Sequence, residues 1–377
     1  MKKIRKKTDN RTDPAKAKHA SAGRKHKLGP KQYIRIAGVF LVLLLIIYGI
    51  ASLCSYISWH SSEFISDEGY THKAEFQDHL VLNGIDVSEH QGDSIKWKKV
   101  KSSGVDFAFI RAGYRGAKEG TLNVDSCFSR NATEANKVGL MVGAYYYSQA
   151  TSTEEAVEEA RALLDIVDGY DIDLPLIIDY EIYPGGRLDK VIQSGTMNTA
   201  AMYHDIVLAF CRTVEDAGYS SGIYANTDML THYMDANYID NETNLWVAEF
   251  AGECSLESGY RFWQCSDQVN VGGIDKPVDH DFMYINKDGA TRMWCVNPGK
   301  RISVEKCNVS LKKTSVKYKR KGAEVKATVT DAEGRRMREG KDYTLSYVKN
   351  SEKGNAYVLV HGINGYRDIK AASYEVR

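Results

Sequence analysis

Between residues 82 and 285 the sequence repeats one alternation, and this limits the fold more than any other feature. Five apolar runs read as strands: "LNGIDVS" (82–88), "VDFAFIRAGYR" (105–115), "GLMVGAYYYS" (139–148), "LPLIIDYEIYPGG" (174–186) and "SGIYANT" (221–227). Each is followed by a stretch with helical character. The stretch after the third run opens on Ser152-Thr153-Glu154-Glu155, a cap-like helix start, and "MNTAAMYHDIVLAFCRTVEDAG" ends at Gly218. Three further runs, 244–250, 260–266 and 278–285, arrive with little helix between them. Strands alternating with helices predict parallel βαβ units. Eight strands fit a closed α/β barrel of the TIM type better than an open sheet. Such barrels carry their working residues at the C-terminal ends of the strands.

The fourth run contains two carboxylates, Asp179 and Glu181, inside an otherwise apolar strand. Leaving a charge unpaired in such a place costs several kcal/mol or forces a large pKa shift. Residues two apart share a strand face, so Ile177, Asp179 and Glu181 point one way while Ile178 and Tyr180 point towards the helices. Asp86 in the first strand and Asp279 in the eighth become neighbours once a barrel closes. The four acids are therefore expected to meet in one cleft. Adjacent carboxylates cannot all stay ionised, and the result is a proton donor beside a charged partner. That pair is equipped to cleave a glycosidic bond. Tyr145, Tyr146, Tyr147, Tyr183, Tyr224, Trp246 and Trp263 lie at or near strand ends, where aromatic rings stack on sugars; such rings taken singly are more often core. A metal held by Asp279-His280-Asp281 and a structural salt-bridge cluster are weaker readings. The chain has no HExxH, Cys/His set or phosphate loop, and no cofactor is called for.

"GIDVSEHQG" (84–92), "GAYYYS" (143–148), "PLIIDYE" (175–181), "GIYAN" (222–226), "LWVAEF" (245–250), "FWQCS" (262–266) and "VDHDF" (278–282) together resemble glycoside hydrolase family 25, the lysozyme-like N-acetylmuramidases. The resemblance covers about 82–290. It implies an irregular (β/α)5β3 barrel and, as substrate, the β-1,4 bond between N-acetylmuramic acid and N-acetylglucosamine in peptidoglycan. It also implies Glu181 as general acid/base, Asp179 as the carboxylate that steadies the substrate's 2-acetamido group during retaining hydrolysis, Asp86 and Asp279 as flanking acids, and Gln91 as a cleft residue. His90 stands where an aromatic is common, and Arg111 where Lys is common. A catalytically silent glycan-binding scaffold and a chitinase-like enzyme are the alternative functions.

Outside 82–290 the chain changes character. The tail 1–32 holds 12 Lys/Arg against 2 Asp, and 291–377 holds 20 Lys/Arg against 9 Asp/Glu. With a net charge of only +1, the middle must be strongly acidic. Residues 33–57 carry no charge after Arg35, and a run of roughly 20 apolar residues matches a bilayer core. We read an uncleaved single-pass signal-anchor, with a cleaved signal as the alternative. The basic tail is then a disordered cytoplasmic topology determinant rather than a nucleic-acid arm, and everything after residue 58 lies outside the cell. The stretch 58–81 is a stalk or packs on the barrel. Residues 291–377, with short alternating segments between Gly/Asn/Asp/Lys turns, read as a small Ig-like β-sandwich whose basic surface suits anionic wall polymers. The seven cysteines show no metal spacing and read as buried thiols. In an oxidising compartment, Cys254/Cys265 and Cys295/Cys307 could instead each close a short loop.

Overall fold

The computed structural model describes residues 29–31, 46–49, 65–234, 243–257, 259–287, 289–297 and 299–377. The chain divides into two compact units, Met1–Ser58 and Trp59–Arg377. The basic tail and the apolar run 33–57 lie outside the described residues apart from 29–31 and 46–49; among the described residues no helix is long and apolar enough to cross a membrane.

Eight strands of the second unit close a barrel. They are β1 (His79–Val87), β2 (Phe107–Arg115), β4 (Met141–Ser148), β5 (Leu176–Tyr180), β6 (Ser221–Asn226), β7 (Leu245–Ala248), β8 (Tyr260–Val269) and β9 (Val278–Asn286); β3 (Leu122–Val124) is a short antiparallel addition to β2. Pairing runs parallel from β1 through β8, and β9 closes the circle antiparallel to both β8 and β1. Helices α1 (Trp97–Ser102), α2 (Phe128–Lys137), α3 (Thr153–Val167), α4 (Arg187–Gln193) and α5 (Ala200–Asp216) follow the first strands in turn. The cap expected at Ser152 is formed, its hydroxyl accepting from Glu155 N at 3.3 Å.

Two glycines make room for the rings that fill the barrel. A Cβ on Gly84 would lie 2.2 Å from the Phe107 ring, and one on Gly143 would lie 2.3 Å from Phe109. Phe109 in turn stacks on Trp246 with centroids 4.4 Å apart. This alternation of small and large residues lets aromatic rings fill the lower barrel, and polar residues line its mouth.

Where the last helices are missing, another segment covers the sheet. Residues 65–78 lie across the outer faces of β8 and β9, so they pack on the barrel instead of forming a free stalk. Phe76 stacks on Tyr284 (3.7 Å), His72 Nδ1 meets the Tyr284 hydroxyl (2.9 Å), and Tyr70 packs edge-on against Trp263 and Phe282. Thr71 N donates to Gly252 O at 2.7 Å.

The C-terminal module is all-β. Its main sheet runs β10 (Ala290–Thr291), β18 (Ile369–Val376), β16 (Gly354–Gly362), β15 (Tyr343–Val348), with β13 (Ser315–Val316) added along β18. A two-stranded ladder of β12 (Asn308–Leu311) and β14 (Ala327–Thr330) covers one face, and a second short ladder joins β11 (Ile302–Ser303) to β17 (Tyr366–Arg367). The second layer is thus a ladder of four-residue strands, less than the second full sheet expected of a sandwich; lysine-rich turns leave too few apolar positions for more. The other face of the main sheet seals the barrel's lower end, with Val348, Leu359, Ile369 and Ala371 in one cluster with Leu80, Leu82, Met141 and Leu174. The connection is pinned by buried Glu215 on α5, which accepts N–H bonds from Cys295 (2.8 Å) and Val296 (3.1 Å) and the Ser221 hydroxyl (2.6 Å). Six described cysteines are buried free thiols.

Candidate active site

A cleft of about 370 Å³ opens at the barrel mouth, and each barrel strand or the loop after it contributes to its wall. Asp86 comes from β1, Arg111 from β2, Tyr145 and Tyr147 from β4, Asp179 from β5, Tyr224 from β6, Trp246 from β7, Gln264 from β8 and Asp279 from β9. Glu181 sits one residue beyond the end of β5. The four carboxylates singled out in the sequence are therefore brought together. Asp86 and Asp279 are directly paired across the β1–β9 ladder.

The acids are buried and crowded, and their pKa values rise for those reasons. Asp86 is held well above the carboxylate range by burial first and then by Asp279 and Asp281. Asp179 is raised by burial and by Glu181, against the opposing pull of Arg111. Glu181 is raised by burial and Asp279, partly offset by the Tyr224 hydroxyl. Asp279 moves to about 6 through burial and Asp267. All four shifts run the same way, so the clustered carboxyls hold protons more readily than free acids do.

Hydrogen bonds hold the floor in place. Gln264 Nε2 donates to Asp86 Oδ2 (2.7 Å), Tyr224 Oη to Gln264 Oε1 (2.9 Å) and Trp246 Nε1 to Asp281 Oδ1 (2.9 Å). Gln149, fully buried, donates to the backbone carbonyl of Glu181 at 2.7 Å. Arg111 is oriented by Asp125 (2.8 Å) and Glu89 (3.1 Å). Three side-chain oxygens here are buried with no hydrogen-bond partner among the described residues, Gln149 Oε1, Asp281 Oδ2 and Asp179 Oδ1, and of these three residues Asp179 is the one that lines the cleft. A carboxyl oxygen kept dry and unpaired at a cleft is available to an incoming amide or hydroxyl.

Of the expected binding residues, Gln91, Tyr145, Tyr224 and Trp246 line the cleft. The Gln91 side chain also closes its own loop, accepting from Ser88 N and donating to Pro277 O. Two expectations are overturned by strand alternation. Tyr146 is fully buried on the outer face of β4, among the residues that pack under the helices, and its place in the cleft is taken by Tyr147. Trp263 likewise faces out from β8, donating to Glu249 O at 2.9 Å, while Phe262 faces inward and Gln264 lines the cleft. Tyr183 is 46% exposed on the loop after β5 and does not line the cleft. The sequence does not single out Ser88, Phe250, Gln264, Asp267 or Gln149, and it offers Asp281 only as a metal ligand. Gln264 and Asp281 were within reach of period-2 counting, from Phe262 and from Asp279. His280 packs outward against Tyr70 and Phe282, so Asp279, His280 and Asp281 do not converge as ligands. Among the described residues no group of three His, Cys, Asp or Glu side chains could hold a metal.

A closed barrel whose mouth gathers several proton-sharing carboxylates between aromatic walls is the architecture of a glycoside-cleaving enzyme. Residues 85–274 match the family "Glycosyl hydrolases family 25", and the chain belongs to that family of glycoside hydrolases. It is similar to lysozyme M1 of Streptomyces globisporus, at 31% identity over 209 residues covering 53% of this chain and 67% of the relative. Among solved structures it is similar to the bacterial lysozyme of Streptomyces coelicolor (26% identity, TM-score 0.42, 54% of this chain and 91% of that one). It is also similar to the modular autolysin LytC of Streptococcus pneumoniae (23% identity, TM-score 0.45, 54% of this chain), of which it spans less than half, 46%.

Proposed function

We propose that this protein is a membrane-anchored, extracellular muramidase that hydrolyses the β-1,4 bond between N-acetylmuramic acid and N-acetylglucosamine in peptidoglycan, with retention. One observation carries the reading: Asp86, Asp179, Glu181 and Asp279 share a single cleft whose walls are Tyr145, Tyr147, Tyr224 and Trp246. Family membership and the similarity to lysozyme M1 support the wall glycan as substrate.

Glu181, with its pKa raised by burial and by Asp279, protonates the leaving glycosidic oxygen and then, as a carboxylate, activates water. Asp179, whose free Oδ1 is buried at the cleft, accepts the acetamido N–H and steadies the group as it attacks the anomeric carbon. Asp86, fixed by Gln264, and Asp279 supply negative charge near the developing oxocarbenium ion. The apolar run 33–57 and the basic residues before it support a single-pass anchor with the catalytic barrel outside the cell. The basic C-terminal module supports contact with anionic wall polymers. A tethered hydrolase acts on wall close to its own membrane, which suits local remodelling during growth, division or passage of a large assembly.

The test is product analysis. Purified peptidoglycan incubated with the full chain, then reduced with borohydride, should give fragments ending in reduced muramic acid. Ends in reduced glucosamine would move the activity to the other glycosidic bond. Binding without any new reducing ends would make the protein a silent scaffold.

A further inference from the structure

Six of the 20 Lys/Arg of the C-terminal module line one groove. Its wall is formed by Lys312, Lys313, Lys317, Lys319, Lys326 and Arg377, with Glu324 the one lining carboxylate, around a volume of about 530 Å³. The two sides are backbone-fixed. Lys312 N donates to Lys326 O (2.8 Å), which extends the β12–β14 ladder; Arg377 N donates to Val316 O (2.9 Å) and Tyr318 N to Arg377 O (2.7 Å), which extend the β13–β18 pair. Arg377 is neutralised by Glu375 at 2.7 Å, but among the described residues none of the five lysines has a carboxylate within ion-pairing range. A groove lined by several cations of one sign attracts a polyanion.

The groove also has a place relative to the cleft. Ala323 and Val325 beneath it are buried against Val358, Tyr374 and Val376, the face of the main sheet turned away from the barrel. The opposite face, with Leu359 and Ile369, seals the barrel's lower end. The sheet and the length of the barrel therefore separate groove from cleft, and the two can be occupied together.

We infer that this lysine groove holds a linear polyol-phosphate chain of the cell wall, which keeps the hydrolase on polymer-bearing wall while the cleft works on glycan. This rests on the wall-hydrolase reading above. Lysine ammonium groups act as point charges that suit successive phosphates, whereas planar carboxylates favour the arginine fork. The apolar lining is only Val316, Ala323 and Val325. No aromatic ring is among the lining residues, and exposed Tyr318 beside them is a single ring, whereas single-stranded nucleic acid is held by bases stacked on successive aromatic side chains. Holding the polymer raises the local concentration of glycan at the cleft without a new contact there.

The experiment measures binding of the full chain to poly(glycerol phosphate), with poly-L-glutamate and a single-stranded DNA oligonucleotide as parallel probes. Hydrolysis of polymer-free peptidoglycan is followed in the same samples. Four phosphate contacts at a slope near 0.7 each give a loss of affinity of about 50-fold between 50 and 200 mM salt. The quadruple variant Lys312→Glu, Lys313→Glu, Lys317→Glu, Lys319→Glu should bind at least tenfold more weakly, with hydrolysis of polymer-free peptidoglycan unchanged. The corresponding four-fold Lys→Gln variant, which adds no new charge, should fall between. Undiminished binding by either variant overturns the proposal, and so does equal or tighter binding of polyglutamate or DNA. Salt-sensitive polymer binding with no hydrolysis by any protein supports the groove and overturns the hydrolase reading instead.

Discussion

At the scale of single residues, the carboxyls of the cleft lie close enough to raise one another's pKa values. Asp279 raises both Glu181 and Asp179, so Asp279→Asn should let both acids ionise more readily. Activity that needs protonated Glu181 is lost as pH rises through its raised pKa. The alkaline limb of kcat should therefore move to lower pH in this variant, and a pH–rate profile reads the shift; an unmoved limb would disconnect Asp279 from the acid. Gln149 acts one step further out, through the Glu181 carbonyl. Small displacements of a catalytic group cost large factors in rate, so Gln149→Ala should lower kcat about tenfold or more while KM changes little. A rise in KM alone would indicate a general loosening of the cleft.

At the scale of elements, the strand–helix rhythm was sufficient for the barrel because its strands are apolar runs bounded by turn residues. The Asp86–Asp279 pairing followed from closure alone. Counting by twos turns Asp179 inward on β5, and the same count turns Tyr146 and Trp263 outward, which their place beside cleft residues in the sequence conceals. The segment 65–78 was illegible because its aromatic residues have neither helical nor strand period; they fit only the gap left by the missing helices. Gly84 marks how tightly the elements meet. Gly84→Ala would drive a methyl into Phe107, and overpacking of this kind costs about 1–3 kcal/mol. Chemical denaturation should show a lower midpoint with an unchanged m-value; an unchanged midpoint would mean that the Phe107 ring is free to move.

At the scale of the whole molecule, barrel and C-terminal module share one apolar cluster, so the module is part of the catalytic unit's foundation as well as a surface for contact. Asp173 lies at this seam, accepting from Val142 N (3.1 Å) and the Thr344 hydroxyl (3.4 Å), and burial pushes its pKa to about 7. A carboxyl raised above its unfolded value favours folding when protonated, so this contribution is present at acid pH and lost as pH climbs from the ordinary carboxylate range through about 7. Asp173→Asn should therefore raise Tm relative to the parent at pH 8 more than at pH 5. Equal shifts at both values would remove Asp173 from the pH dependence. In the proposed function the acid cluster at the barrel mouth is a hydrolytic site with Glu181 as its acid. Turnover of peptidoglycan by the full chain and by Glu181→Gln, compared at matched Tm, tests it most directly. New muramic acid reducing ends should appear with the parent and fall by about 100-fold or more with the variant; equal turnover by the two proteins would remove Glu181 as the acid.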